Sequence, residues 1–499
     1  MSSINNYYSG AVYTKTGVPS NPINNLKDFT QIYVVGTSDL FFLQEKKIRS
    51  LSEAITLGYL NNSAYTLNTF IYNHFLTSTA PIVVMNILDL ANSDLFSEIT
   101  QTVNITGKNK AGIDFTNQPV NVSSTTFTVL DGVNTLVFGT DYTFDDKKLL
   151  RIIKTPFSST SVSVTYNIVD KTAMEDVFID LFTGVLTGSD ISDSENFYKS
   201  GYFIIPVFNN NKNLYPYFLS KLSQNQLRTS ACDTSLTTSD VEDEIDSEGD
   251  DSIYGALNTS RSDLITSGGI FTVKSFNNIP AEYDFASFQI SAYSSKGLNF
   301  IESIKDVPIP NYVSISNINE YRSMYFENDG VIPEQKIGNR LMGKGVNIVI
   351  KNNGQYVCLG NFTSLRKTDT SLGGYHSYIQ ILDYSAYIIA STLVKYLQTA
   401  PVNGDLSDMV ELINTDVSAQ LESNMQNLYA SIEGKLQYTF RLDASAFFSV
   451  SSSTLAFTRL PFNFDFVPNQ QIEAINLSVE TSRELLLNVL NNVITTING

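Results

Sequence analysis

The side chains best suited to acid–base or nucleophilic chemistry are few in this chain and widely spaced. Its 499 residues contain two histidines, His74 and His376, and two cysteines, Cys232 and Cys358. His74 falls among apolar positions of a helical pattern, where packing is the expected role. His376 follows Gly373-Gly374-Tyr375 and precedes a long apolar run, a place for a helix cap or a loop residue. Cys358 lies between Val357 and Leu359 in a strand pattern, so a Cys–His pair built on it would need an exposure the pattern does not give. No serine stands in the G-x-S-x-G turn of a nucleophile elbow. Counting alone leaves a Ser-His-Asp triad open, and likewise a glycosidase carboxylate pair, whose separation only the fold decides.

Metal and phosphate chemistry fit no better. Structural zinc needs clustered Cys and His, and these four are scattered. The run Ser239 to Ser252 holds eight acidic residues in fourteen, which invites a calcium reading. Aligning Gly249 with the glycine of an EF-hand loop puts Glu244, Asp246 and Glu248 at the first ligand positions. It also puts Gly255 where a bidentate Glu is required. Charges this dense repel, so a solvated loop is the simpler expectation. Gly343-Lys344-Gly345 lacks both the glycine spacing and the Ser/Thr of a phosphate loop. No catalytic residue, metal or cofactor is expected.

Bulk properties narrow the class. The net charge of −18 opposes nucleic-acid binding, which needs a basic face, and docking on an anionic membrane surface. No run approaches the roughly 20 apolar residues of a membrane span. The first residues lack the basic and apolar regions of a signal peptide. Two distant cysteines imply no disulfide framework and suggest a reducing compartment. Apolar residues make up 42% of the chain, enough to bury cores, and the length suggests two to four domains. Charged residues are only 16%, with Asn, Ser and Thr filling the surface instead.

The elements follow from periodicity. Thr30 to Thr37 and Pro81 to Leu88 read as buried strands, with a Ser50-capped helix to Leu57 and a second helix from about Tyr65 to Leu76 between them. This order predicts a parallel α/β sheet. From about Asn104 to Asp170 the pattern is pure β, with strict alternation in Ser161 to Tyr166. Helices are expected at Thr172–Phe182 and Tyr215–Leu227, with a buried strand at Tyr202–Val207 between them. Further on, Val346–Ile350 and Tyr356–Leu359 read as a hairpin, and Tyr378–Leu397 as a long helix. Leu406–Asn414 and Val417–Glu433 read as two more helices. Leu436–Leu442, Leu455–Phe466 and Ile472–Glu480 read as strands, and Leu485–Ile494 as a terminal helix.

The order of these last elements, with Gly345-Val346-Asn347 and Gly360-Asn361-Phe362-Thr363, resembles the conserved core of the contractile tail sheath family of phage tails and pyocin-like injection machines. The likeness covers most of 1–90 and 170–210 and nearly all of 338–480. This chain departs from the family in having Leu359 and Phe362 where the family usually has Trp and Arg, and Glu473-Ala474 in reversed order.

The resemblance implies a multidomain α+β fold. Residues 1–25 would be an N-terminal arm. Residues 26–100 and 171–337 would form a discontinuous α/β domain. An outward-facing β-sandwich-like insert would span 101–170, and a tube-facing α+β domain 338–480. Residues 481–499 would complete the chain as a terminal helix and arm. It implies a non-enzymatic subunit that polymerises with itself, as hexameric rings stacked in a helix around an inner tail tube, and contracts to drive the tube through a cell envelope. Baseplate and tail terminator proteins would be further partners. The place would be a virion tail assembled in the host cytoplasm, without direct nucleic-acid contact or membrane insertion. On this reading Tyr7, Tyr8, Ala11, Val12 and Tyr13 add a strand to a neighbouring subunit, and Arg366, Lys367, Lys395 and Lys435 face the tube. A β-rich virion surface protein or adhesin, or a glycan-degrading tail enzyme, remains the alternative.

Overall fold

The computed structural model describes residues 29–60, 65–106, 110–111, 127–144, 150–209, 211, 213–224, 229–233, 264–267, 270–274, 280–314, 342–343, 345–352, 355–367, 374–396, 406–442 and 462–469. For some of these only the backbone is described.

The chain opens with β1 (Ile32–Gly36), β2 (Glu45–Ile48), α1 (Leu51–Leu57), α2 (Thr66–Thr77) and β3 (Ile82–Asn86). Helix α1 starts where Ser50 Oγ accepts the Glu53 amide at 3.1 Å. It stops at Gly58, whose φ of 89° is a left-handed conformation that glycine adopts without a Cβ clash. A β-rich stretch follows: β4 (Phe96–Thr106), β5 (Lys110–Ala111), β6 (Phe127–Asp131), β7 (Asn134–Leu136), β8 (Tyr142–Phe144), β9 (Leu150–Ile152) and β10 (Ser161–Val169). Then come α3 (Lys171–Phe182), α4 (Glu195–Lys199), β11 (Tyr202–Ile204), α5 (Tyr215–Gln224), β12 (Thr229–Asp233) and β13 (Leu264–Ser267). A small three-stranded sheet uses β14 (Ile270–Lys274), β15 (Pro280–Asp284) and β16 (Tyr312–Ser314), with α6 (Phe285–Ser295) after β15. The last part holds β17 (Val346–Asn352), β18 (Gln355–Leu359), α7 (His376–Leu393), α8 (Leu406–Asn424), β19 (Ser431–Ile432), β20 (Lys435–Leu436), β21 (Tyr438–Leu442) and β22 (Phe462–Phe466).

The principal sheet has eight strands in the order β18-β17-β13-β12-β11-β1-β3-β2. The six inner strands run parallel, and each margin carries one antiparallel strand. Both faces are covered, which is why β1 and β3 read as continuous apolar runs. Ile32, Val34, Ile82 and Val84 point into a core shared with Leu67, Phe70 and Ile71 of α2 and Phe285 and Phe288 of α6. Tyr33, Val35 and Val83 point the other way, onto Met174, Phe178 and Leu181 of α3 and Phe218 and Leu222 of α5. Each such fully buried side chain contributes about 1.5–3 kcal/mol relative to exposure.

The second sheet has seven strands, β7-β6-β10-β4-β5-β9-β8. It has its own core, in which Val129, Val164, Tyr166 and Leu150 are fully buried. Its outermost strands, β7 and β8, are joined by the turn Val137–Asp141, where Asp141 N donates to Val137 O at 2.7 Å. The sheet thus curls until its two margins meet. Its first and last strands, β4 and β10, pair along their whole length from Val169↔Phe96 to Ser161↔Asn104. At the base of that pair Asp170 N donates to Leu95 O at 2.9 Å.

Sequence and structure differ at several points. The two helices expected at 406–414 and 417–433 are one helix, α8, running through Thr415 and Asp416, and Tyr429 onward is extended. Strand β2 carries the charged sequence Glu-Lys-Lys-Ile, which hid it from an apolar pattern search. Helix α7 begins at His376, so that histidine is neither cap nor loop but the first helical residue. The hairpin β17–β18 belongs to the eight-stranded sheet, so a boundary at 338 falls within a region that shares one sheet with the α/β part. Residues 1–28, the acidic run 239–252, and the strand and helix expected at 472–480 and 485–494 lie outside the described residues.

Candidate functional site

The strand order β3-β1-β11-β12-β13-β17 is that of a doubly wound α/β sheet, with its reversal between β1 and β11. Ligands of such folds bind beyond the carboxyl ends of the strands at that reversal. Here the chain's own side chains fill the place. Thr37 N donates to Thr66 Oγ1 and Thr66 N to Thr37 Oγ1, both at 3.0 Å, which closes the N-terminus of α2. Asn86 Oδ1 accepts from Ser38 N and Leu88 N at 2.9 Å each. On the β11 side the fully buried Asp284 accepts from Val207 N and from Asn209 Nδ2, and it caps α6 through Ser287 N at 2.7 Å. Burial pushes the Asp284 carboxyl upward, and these hydrogen bonds oppose the shift.

The histidines and cysteines are equally enclosed. His74 is buried between Ser291 Oγ, 3.1 Å from Nδ1, and the Ala80 carbonyl, 2.9 Å from Nε2. Burial lowers its pKa to about 4. His376 lies elsewhere, against Tyr293 and Tyr202. Cys232 and Cys358 are both buried, and neither is in a disulfide. Cys358 occupies β18, the strand position its neighbours indicated, and burial pushes its thiol pKa up. Among the described residues no group of three or more His, Cys, Asp or Glu is placed to hold a metal, and no helix is long and apolar enough to cross a membrane.

What the fold leaves open is hydrogen-bonding capacity at strand margins. At one margin of the eight-stranded sheet, β2 carries Lys46 and Lys47, charges that discourage strand addition. Lys46 Nζ sits 4.6 Å above the Phe41 ring. At the other margin, β18 is covered by the Pro308-Ile309 segment, where Ile309 N donates to Tyr356 O at 2.8 Å. The hairpin β21–β22 differs. Its strands pair in full register from Tyr438↔Phe466 to Leu442↔Phe462, and among the described residues neither outer edge has a ladder partner.

One face of this hairpin is an aromatic ladder. Phe440 stacks on Phe462 at 4.9 Å, Phe464 on Phe466 at 5.4 Å, and Phe466 on Tyr378 of α7 at 5.5 Å. Tyr429 packs beneath, 5.1 Å from Phe466, and its hydroxyl meets Ser385 Oγ of α7 at 2.6 Å. These hairpin aromatics are only half-buried, while Thr439, Arg441, Asn463 and Asp465 on the other face are exposed. A two-stranded ribbon is marginal alone and gains from a third strand.

The segment between β18 and α7 ties this unit to the sheet. The Asn347 side chain on β17 spans one residue's backbone: its Oδ1 accepts from Phe362 N, and its Nδ2 donates to Phe362 O, both at 3.0 Å. Gly360, at φ 128°, brings the loop so close that a Cβ would collide with the Asn347 amide. Asn361 then holds the start of α7: its Oδ1 accepts Ser377 N at 3.1 Å, and its carbonyl accepts His376 N at 2.9 Å. Thr363 N donates to Gly374 O at 3.0 Å. The sequence signals Gly345-Val346-Asn347 and Gly360-x-x-Thr363 are therefore two sides of one backbone clamp. The role of Asn361 as a cap borrowed from outside the helix left no sequence signal, since cap patterns look only at adjacent residues.

The residues singled out from sequence fare differently. Tyr7, Tyr8, Ala11, Val12 and Tyr13 lie outside the described residues. Arg366 and Lys367 end a short turn, Ser364–Lys367, and their side chains are not described. Lys395 is held within the chain by Asp416 of α8, which also accepts from the Tyr396 hydroxyl. That hydrogen bond raises the Lys395 pKa and helps lower that of Asp416. Lys435 stands exposed on β20.

No protein-family model and no curated protein matches the sequence. Solved structures do match. The cryo-EM helical sheath of the anti-feeding prophage in its contracted state aligns with a TM-score of 0.52 at 12% identity, over 91% of this chain and 93% of that one. A chain in the contracted-state baseplate structure of the same prophage aligns at 0.54 and 10% identity, over 97% of this chain and 100% of that one. A further baseplate structure, six-fold symmetrised, aligns at 0.53 and 11% identity, over 91% and 94%. At such low identity the likeness is one of architecture, and it runs nearly end to end: this chain has the fold of a contractile sheath subunit.

Proposed function

We propose that this protein is the structural subunit of a contractile sheath. It polymerises helically around an inner tube and shortens to drive that tube through a target envelope. The observation that carries the reading is the near end-to-end likeness to a helical sheath in its contracted state. The plugged strand-end crevice agrees, because a wall subunit needs rigid blocks and no reactive cleft. Partners are further copies of itself, the tube protein, and baseplate and terminator proteins at the two ends. The curled seven-stranded sheet faces outward, and the α7–α8 unit with its hairpin faces the tube. The setting is the tail of a contractile particle, put together in the cytoplasm of the producing cell.

Adjacent copies are knitted by strand addition, with residues 7–14 of one copy joining the β21–β22 hairpin of another. Main-chain hydrogen bonds supply the affinity of such a contact, and alternate side chains supply its specificity. In an added strand Tyr7, Ala11 and Tyr13 share one face, while Tyr8 and Val12 share the other. The first set matches the aromatic ladder. Head-to-tail contacts of this kind do not close, so they build a filament. Contraction is then a rigid-body rearrangement of intact subunits linked by their arms. Lys435, with Arg366 and Lys367, supplies positive charge toward the tube, whereas Lys395 is already engaged by Asp416.

Electron microscopy of the purified chain, alone and with the candidate tube protein, tests this directly. The full chain forms long tubes and the variant lacking residues 1–25 remains monomeric. A full chain that stays monomeric with the tube protein, or that degrades a glycan in a discrete cleft, refutes the reading.

A further inference from the structure

His74 and His376 are both buried, but only one is hydrogen-bonded. Both nitrogens of His74 have partners, Ser291 and Ala80. His376 is 2% exposed, and neither of its ring nitrogens has a hydrogen-bond partner among the described residues. Its ring lies 4.2 Å from that of Tyr293 on α6 and 6.1 Å from that of Tyr202 on β11, measured between centroids.

The position sharpens the problem. His376 is the first residue of α7, where the helix macrodipole is positive and a cation is disfavoured. The titratable groups around it offer no counter-charge. Tyr202 and Tyr293, and Cys358 of β18 next to Tyr293, are held protonated by burial. Asp383, on α7 itself, lies seven residues on, about 10 Å along the helix axis, and its charge acts on the Tyr202 hydroxyl. A proton arriving on His376 would create a buried charge with no acceptor, which is strongly unfavourable. The only relief is movement of the ring into water.

The same turn of helix forms the joint between α7 and the parallel sheet. Directional bonds at that joint include His376 N to the Asn361 carbonyl and Thr363 N to the Gly374 carbonyl. Gln380 Nε2 donates to Thr229 Oγ1 of β12 at 2.7 Å, and Asn361 pairs with Ser377. Gln380 Oε1 is itself without a partner among the described residues. Most of α7 beyond this turn belongs to a different core, with Ile381, Tyr384 and Ile388 packed on Val417 and Leu421 of α8.

We propose that His376 is an acid-released latch, whose protonation expels the first turn of α7 from its seat on Tyr202 and Tyr293 and loosens the joint between the parallel sheet and the α7–α8 unit. Burial agrees in direction, since it lowers the His376 pKa to about 3. A depressed histidine pKa contributes stability above its unfolded value of 6.5, and that contribution is lost as pH falls toward the folded value.

The chain offers a direct test, because selective ¹³C labelling of histidine yields only two ring signals. The His376 signal, assigned by its loss in His376→Gln, remains neutral at pH 5 in the intact chain. Hydrogen-exchange protection of amides 376–380, corrected for intrinsic exchange, drops roughly a hundredfold between pH 7 and pH 4. His376→Phe, which fills the aromatic seat without a titrating group, abolishes the drop, and His74→Gln leaves it in place. A His376 ring titrating near its ordinary value overturns the proposal. So does pH-independent protection of 376–380, or an undiminished drop in His376→Phe. Should His376→Phe fail to fold, His376→Gln carries the exchange measurement, and the wild-type titration stands without either.

Discussion

Both margins of the eight-stranded sheet are guarded by the chain itself, through Lys46 and Lys47 on one side and the Pro308-Ile309 cover on the other, whereas among the described residues β21 and β22 have no outer ladder partner, and the residues just past β22 are bonded to Leu428–Ala430. The faces differ in the same sense. The sheet's core side chains are excluded from water, with Ile32, Val34, Val84 and Phe203 at 0% exposure, while the hairpin's aromatics are left half-wet. A region that has used all its bonding capacity can only be a rigid block. A region that keeps some in reserve can join copies together. On the proposed function, the difference divides the molecule into a part that stores stability and a part that spends contacts on neighbours.

That division can be broken at measurable points. The largest effect is expected at Gly201, where a Cβ would overlap the Phe29 carbonyl. Gly201→Ala must force apart two elements that Gly201 N and Tyr202 N both bind through Gln31 O. A loss of about 4 kcal/mol or more, or failure to accumulate as folded protein, is expected in chemical denaturation. A loss below about 1 kcal/mol would mean that the sheet yields more easily than its packing implies.

Asn347→Ala comes next. It strips two hydrogen bonds from the buried Phe362 backbone and should cost about 2–4 kcal/mol by the same measurement. Acid supplies a comparable effect through His74, whose pKa is lowered to about 4. Its stabilising contribution is full above pH 6.5 and disappears as pH falls toward 4, up to about 3 kcal/mol. In His74→Gln the denaturation midpoint should therefore depend less on pH across that window.

The hairpin should respond in the opposite manner. Phe440→Ser and Phe464→Ser are expected to lower monomer stability by about 1–2 kcal/mol, because their rings are only partly buried. Tube formation seen by electron microscopy should nevertheless be lost. A variant that assembles normally would remove the hairpin from the inter-copy contact. The smallest effect is expected from Lys395→Ala, which breaks a half-exposed ion pair to Asp416 and should change stability by less than about 0.5 kcal/mol.

The legible parts of the sequence were those where one periodicity governed a whole element. Helix α1 was bounded by Ser50 and Gly58, and β1 and β3 were plain as apolar runs because both sheet faces are buried. Strand β2 was hidden, since Lys46 and Lys47 suit a sheet margin and spoil an apolar count. The break expected near Thr415-Asp416 was misread for a related reason. Those polar residues lie on the open side of α8, where Thr415 Oγ1 bonds the Glu411 carbonyl and Asp416 holds Lys395. Basic residues could be counted from sequence, but the Lys395–Asp416 pairing depends on how α7 and α8 pack. The clamp of Asn347 on Phe362 depends likewise on a glycine-tight loop that no spacing rule encodes.

The curled seven-stranded sheet leaves and rejoins the rest of the chain at adjacent points, where Asp170 N donates to Leu95 O. The described residues between 96 and 169 therefore join the rest of the chain through a two-ply stem. Cutting the stem and sealing it with a short turn would leave both principal cores intact, and a different module could be spliced in its place. On the proposed outward placement of this sheet, the surface of the particle can be re-dressed by evolution or by an engineer while both principal cores stay unchanged.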